Sequence, residues 1–195
     1  MKIGIDFDEV IAEFIDKLLE HYNGSSGKSL RKEDFSSYNL WEMWGGTREE
    51  AIKIVDEFHD SPLFSEINPS ERALEAIDAL LKNNELFIIT ARPARFKTKT
   101  EEWLRKHLPD KNFHVVYSGD FHKEQASTKA QICKELGVTL MIEDSPHTAL
   151  DCINNNIKVI LFNKPWNKSL EHKEVVRVNN WEEALIEIEK YYYSE

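Results

Sequence analysis

Two aspartates one residue apart, Asp6 and Asp8, close a short apolar run from Lys2 to Phe7. A second acidic pair, Glu143-Asp144, closes another that begins at Thr139. Carboxylates gathered this way make a hard-oxygen donor set of the kind Mg²⁺ prefers. No Cys or His spacing suggests zinc. Such a set suits a reaction in which a nucleophile must approach a phosphate dianion, because two negative groups meet only when a cation neutralises them. Thr90 follows the apolar Phe87 to Ile89 and offers a hydroxyl, with the next N–H, to a phosphate oxygen. Lys129 opens a helix, where a lysine gains nothing from the helix dipole. Singly, each has a plain structural reading: Asp and Thr cap helices, and a surface lysine is usually solvated.

The elements that must position these residues alternate along the chain. Lys2 to Phe7 reads as a strand, and Val10 to Tyr22 has helical spacing until Gly24 to Lys28 breaks it. Ser29 to Asn68 is rich in aromatics and poor in strand signals, with one clear helix that Thr47 and Glu50 open as a capping box. Regular alternation resumes at Pro69. Ser70 is expected to cap a helix to Lys82, followed by strand Glu85 to Thr90, helix Arg95 to His107 and strand Phe113 to Tyr117. Helix Ser127 to Leu136 ends at Gly137. Strand Thr139 to Glu143, helix Ser145 to Asn155, strand Ile157 to Phe162 and a last helix capped by Asn180 complete the chain. This order predicts an α/β protein, a Rossmann-like, doubly wound, mainly parallel sheet with a small helical cap inserted after the first strand and helix. Residues 1–22 and 69–195 would form the core, and 23–68 the cap.

In such sheets ligands bind at the carboxyl ends of the strands. Those ends carry Asp6 and Asp8; Thr90, Ala91 and Arg92; Ser118 and Asp120; and Glu143 and Asp144. Three of the four ends hold carboxylates, which a purely structural sheet has little reason to gather.

Composition narrows the partners. Charged residues make up 31% of the 195 and hydrophobic residues 41%, as in a globular protein. The net charge of -10 disfavours nucleic acid as a partner but not a small phosphate ester, because one cation can reverse the sign of a pocket. No apolar run approaches the roughly 20 residues of a membrane span. The strand at the very start leaves no room for a signal peptide, and Cys133 and Cys152 fall in helical segments. A cytoplasmic location is therefore expected. The sequence leaves room for a homodimer.

Together, DFDEV, IITAR, the helix-opening Lys129 and IEDSP resemble the four ordered motifs of the haloacid dehalogenase superfamily. The resemblance spans residues 1–22 and 69–165. True dehalogenases of that group lack the second aspartate, so Asp8 points to phosphoryl chemistry. The resemblance implies that Asp6 attacks phosphorus and that Asp8 protonates the leaving oxygen, then activates water. It further implies that Mg²⁺ binds Asp6, the Asp8 carbonyl and Asp144, with Glu143 behind them. Thr90, the Ala91 N–H and Lys129 would hold phosphate oxygens. Lys123, in a loop, competes for the lysine role.

The helix straight after DFDEV, the WGGTREEA stretch and VILFNKPWN are similar to the cytosolic 5′(3′)-deoxyribonucleotidases and their bacterial nucleotidase relatives. This implies a nucleoside monophosphate substrate. Arg92 departs from the small residue of that group, and both substrate contact and loop bracing are open to it. Glu-Asp in the fourth motif is a second departure. In the insert, Phe35, Tyr38, Trp41, Trp44, Phe58 and Phe64 could stack on a base, a contact worth about 1–3 kcal/mol, or form the lobe's own core. Trp41 and Trp44, beside Gly45-Gly46, are the better candidates for facing the site. His147 reads as a surface or capping residue, and Trp166 as packing beside the site. The alternatives are a phosphatase for another metabolite such as a sugar phosphate, a phosphomutase, or a non-catalytic binding protein, which would be expected to lose Asp6 or Asp8.

Overall fold

A computed structural model describes residues 1–118 and 127–192. Strands β1 (Lys2–Ile5), β2 (Glu85–Thr90), β3 (His114–Tyr117), β4 (Leu140–Glu143), β5 (Lys158–Phe162) and β6 (Val175–Val178) form one parallel sheet in the order β3-β2-β1-β4-β5-β6. The central strands are apolar at nearly every position because both faces are covered. Ile3, Ile5, Leu86, Ile88, Leu140 and Ile142 share one core with α4 (Ala73–Leu81), α5 (Lys97–His107) and α8 (Trp181–Tyr192). Phe87, Ile89, Met141, Val159 and Leu161 face the other way, onto α6 (Lys129–Leu136) and α7 (Pro146–Asn154). Gly4 sits where a Cβ would lie 2.7 Å from the Met141 sulfur, so a larger residue there would have to displace the Met141 side chain in the core. The doubly wound α/β fold is the one expected from the alternation.

Strand order reverses at β1, which has β2 on one side and β4 on the other. A crevice opens at the carboxyl ends of such a pair. The Asp6 N–H extends the pairing to the Ile142 carbonyl at 2.9 Å, which fixes the chain as it leaves the sheet.

The helix expected from Val10 starts later. Residues 7–13 form a tight turn in which the Ile11 and Ala12 N–H groups both reach the Phe7 carbonyl, at 2.9 and 3.0 Å, and Glu9 sits at φ 63°. Helix α1 (Phe14–Ser26) is capped by the Glu9 carboxylate, which accepts the Ile15 N–H at 2.7 Å. Neither Asp6 nor Asp8 caps it, so the plain structural reading of that pair does not hold. The helix also runs through Gly24 and ends at Gly27, whose φ of 70° is the left-handed cap conformation.

Between α1 and α4 lie α2 (Leu40–Trp44) and α3 (Arg48–Asp60). Thr47 opens α3 with the expected reciprocal box: its hydroxyl accepts the Glu50 N–H at 3.2 Å, and Glu50 accepts the Thr47 N–H at 2.8 Å. The two chain crossings into this lobe run side by side. Glu13 N–H meets the Asn68 carbonyl at 2.9 Å, and Ser70 N–H meets the Ile11 carbonyl at 2.8 Å. Helix α1 packs on the lobe's side of that neck, with Phe14 edge-on to Phe58 at 5.3 Å.

Two further expectations are corrected. Ser70 does not cap α4 with its side chain; its backbone carbonyl accepts the Ala73 N–H, and Arg72 takes the cap position at φ 60°. Strand β6 was not anticipated, because Val175–Val178 is short and follows a polar loop. No helix among the described residues is long and apolar enough to cross a membrane. Asp120 and Lys123 lie outside the described residues.

Candidate active site

Three carboxylates and one ammonium meet at the ends of β1 and β4. Lys129 Nζ lies 2.7 Å from Asp6 Oδ1 and 2.8 Å from Glu143 Oε1. Lys129 is placed by the start of α6, where Thr128 and Gln131 form a capping box at 3.2 and 2.9 Å. The other Glu143 oxygen accepts the Asp144 N–H at 2.8 Å. Asp144 Oδ2 accepts the Trp166 indole N–H at 2.9 Å, and the Asp144 carbonyl accepts the Asn167 amide at 2.7 Å. Carboxylate oxygens of Asp6, Glu143 and Asp144 all fall within 4.8 Å of one another.

All four side chains are buried, so their charges act strongly on each other. Burial, then the negative Glu143, pushes the Asp6 carboxyl well above the usual range, although Lys129 opposes this. Asp144 is pushed well above it by burial, then Glu143 and Glu9. Burial would raise Glu143 too, but the Lys129 charge together with hydrogen bonds from Asp6, Lys129 and the Asp144 N–H holds that carboxyl low. Burial would lower Lys129, yet Asp6 and Glu143 hold its pKa well above normal, so it stays charged. One fixed cation thus serves three carboxylates. The all-oxygen donor set and its excess negative charge fit a hard divalent cation.

Asp8 lies apart from this group. Its carboxylate takes both arms of a fork from Arg92, Nε to Oδ2 at 3.0 Å and Nη2 to Oδ1 at 2.7 Å. Arg92 also donates through Nη1 to the Thr100 hydroxyl at 3.1 Å, and its backbone N–H reaches the Thr90 hydroxyl at 3.1 Å. Thr90 is fully buried, and Ala91 borders the crevice.

A cavity of about 230 Å³ spans the crevice and the lobe. Asp6, Asp8, Ala91, Arg92, Asp144 and Trp166 line it from the sheet; Phe35, Tyr38, Trp41, Ile52, Val55 and His59 line it from the lobe. Trp41 faces the cavity as expected. Trp44 does not: it is 2% exposed and packs on Tyr22 at 4.6 Å inside the lobe. Phe58 is likewise lobe core, and Phe64 lies under the Arg92 guanidinium at 4.8 Å. Tyr38 as a whole is 37% exposed, but loss of solvent at its hydroxyl, then the charges of Asp144, Glu143 and Asp6, raises that hydroxyl above its usual pKa. His147 is a surface residue with its ring edge to Tyr38 at 6.2 Å.

Sequence reasoning missed several partners. Glu9 is 3% exposed and binds Lys32 at 2.8 Å and Lys164 at 3.1 Å, tying the lobe to the loop after β5. Trp166, expected only to pack beside the site, and Asn167, for which the sequence suggests no role, both orient Asp144. The run Lys164-Pro165-Trp166-Asn167 after an apolar strand was the only signal, and nothing local shows what its side chains reach.

A family model described as "5' nucleotidase, deoxy (Pyrimidine), cytosolic type C protein" matches residues 1–191. YqfW of Bacillus subtilis strain 168 is 28% identical over 186 residues, covering 95% of this chain and 92% of its own length. The nucleotidase CA_C3379 of Clostridium acetobutylicum is 24% identical, covering 94% of this chain and 91% of its own length. Among solved structures, the haloacid dehalogenase-like hydrolase SP0104 from Streptococcus pneumoniae superposes with a TM-score of 0.72 at 14% identity, covering 96% of this chain and 97% of that one. A HAD-superfamily hydrolase from Geobacter sulfurreducens gives 0.62 at 16% identity, covering 96% and 95%. These structural likenesses concern the fold.

Proposed function

The chain belongs to the cytosolic type C family of 5′ nucleotidases, deoxy (pyrimidine), and is a phosphoric monoester hydrolase, and on that footing we propose that it hydrolyses nucleoside monophosphates, deoxyribonucleotides among them, with Mg²⁺ and a phosphoaspartyl intermediate. One observation carries this reading: Asp6 sits in a buried carboxylate group at the floor of a cavity whose opposite wall is aromatic. The phosphate would enter at the carboxylates and the base would meet Trp41 and Tyr38.

In this reading an Asp6 oxygen bonds to phosphorus as the ester P–O bond breaks, and the leaving oxygen takes the Asp8 proton. Water then attacks phosphorus and gives its proton to Asp8, the P–O bond to Asp6 breaks, and inorganic phosphate leaves. Asp6 and Asp144, with the Asp8 carbonyl, would hold Mg²⁺, which neutralises the negative charge between nucleophile and phosphate. Lys129 contributes a fixed positive charge beside Asp6, and Thr90 and the Ala91 N–H would take phosphate oxygens. Glu143, whose two oxygens already take protein donors, holds Lys129 and the Asp144 backbone. The two cysteines, buried and free, suit the cytoplasm.

A panel of phosphate esters with Mg²⁺, read by phosphate release, tests the substrate: nucleoside monophosphates should lead, and a lead for sugar phosphates would overturn that half. Asp6→Asn should fold normally and release no phosphate. Retained turnover in that variant would overturn the mechanism.

A further inference from the structure

We propose that Arg92 is a positioning residue that acts through Asp8 and not on the substrate phosphate. The inference rests on the phosphohydrolase reading above and assigns a role to a residue whose motif position left it open. Both oxygens of Asp8 are gripped by one guanidinium in a bidentate fork, which fixes the plane of the carboxylate as well as its position. The third donor arm of Arg92 is anchored on Thr100, whose own hydroxyl donates to the Phe96 carbonyl at 3.1 Å. The guanidinium carbon lies over the rings of Phe7 at 4.2 Å, Phe64 at 4.8 Å and Phe14 at 5.6 Å. Both side chains border the cavity, but that of Arg92 is only 2% exposed and that of Asp8 is 27% exposed. Three of its five N–H donors are committed to Asp8 and Thr100 and three rings pack on the guanidinium, so turning the group onto a phosphate would break those contacts. It is built to stay.

The geometry also suits the chemistry asked of Asp8. Each carboxylate oxygen has two lone-pair sites, and the fork takes one on each, so a site remains for the proton exchanged with the leaving oxygen. Phe14 and Phe64 belong to the lobe side of the neck, so Arg92 registers the aspartate against both halves of the cavity. Lysine, a point charge without the fork, cannot set the carboxylate plane.

The test compares kcat/KM for two esters: the best alkyl phosphate of the panel, whose leaving oxygen needs a proton, and p-nitrophenyl phosphate, whose leaving group is stable as an anion. Arg92→Lys should lower kcat/KM on the alkyl ester by about 10²-fold, the scale expected of a misplaced catalytic group, through kcat. It should leave the aryl ester within about 10-fold. Asp8→Asn should show the same selectivity, and adding Arg92→Lys to it should cost little more, as for two residues acting as one unit. Equal losses on both esters, a change in KM alone, or additivity with Asp8→Asn would overturn the proposal. Thr100→Val, which removes only the outer anchor, should give a smaller loss of the same selectivity and covers the case in which Arg92→Lys fails to fold; no selective loss there would count equally against it. An active Asp6→Asn would instead sink the phosphohydrolase mechanism itself, so the two failures are distinguishable.

Discussion

At the residue scale, Lys129 bonds two of the three buried carboxylates at the ends of β1 and β4, Asp6 and Glu143, and is the only ammonium that does so among the described residues. Removing one partner of a buried ionic group is costly because it strands the others. Lys129→Met should therefore abolish turnover and, in chelator, destabilise the fold by about 3–5 kcal/mol; urea unfolding in EDTA measures this. Adding Glu143→Gln should restore part of the loss, since it removes the stranded charge, and a double variant less stable than Lys129→Met would refute this account. His59 gives a second prediction. Its Nδ1 bonds the Val55 carbonyl at 2.7 Å and its ring stacks on Phe96 at 3.9 Å. Burial, then the positive Arg92, pushes its pKa from 6.5 down to about 4. The unfolded chain therefore binds this proton more readily than the folded one. The stability that His59 contributes is complete above pH 6.5 and is lost as pH falls towards about 4, a difference on the order of 3 kcal/mol. His59→Phe should flatten the fall in unfolding free energy between pH 7 and pH 4.5, and an unchanged slope would show that other groups carry it.

At the scale of elements, the site depends on where helices begin. Thr128 caps α6 one residue before Lys129, so Thr128→Ala should cost about 1 kcal/mol of stability and also fray the turn that holds the ammonium. Turnover should drop several-fold with KM nearly unchanged, while Thr128→Ser keeps both; a stability loss without a kinetic one would separate the cap from the site. This kind of feature was legible in the sequence, because caps and periodicity act over three or four residues. The Thr47 box, the Gly137 end, the Asn180 cap and the strand ends carrying Asp6, Thr90 and Glu143 all lie where those rules put them. The turn at residues 7–13 was not legible: its apolar residues have helical spacing, yet they satisfy the core with Glu9 in a left-handed conformation. Nor could local pattern separate Trp41 from Trp44, three residues apart on one short helix, where the packing of Tyr22 decides which ring is buried. The fork from Arg92 to Asp8 joins residues 84 apart, and no rule of short range reaches that far.

At the scale of the whole molecule, the proposed cation site would couple folding to ion binding. Asp6 and Asp144 arrive from two strands and Glu143 from one of them, so the donor set exists only when β1 and β4 are paired. An ion that binds the folded chain and not the unfolded one stabilises it by mass action, about 2.7 kcal/mol at a hundred times the dissociation constant. For a chain of this size each kcal/mol raises the melting temperature by roughly 2–4 °C, so saturating Mg²⁺ should raise it by about 5–10 °C over the EDTA-treated protein. Differential scanning fluorimetry across a Mg²⁺ titration measures the shift. Ca²⁺ tests the selectivity, because Mg²⁺ demands the smaller and more regular oxygen shell. General screening of the -10 net charge would act at any acidic surface, and an equal ionic strength of KCl reports that part alone. Asp144→Asn removes one donor charge while the Trp166 and Asn167 contacts retain acceptors, so it should abolish most of the Mg²⁺ shift and leave the KCl response intact. If KCl matched Mg²⁺, or if Asp144→Asn kept the full shift, the cation would be acting on the surface and not between the strands.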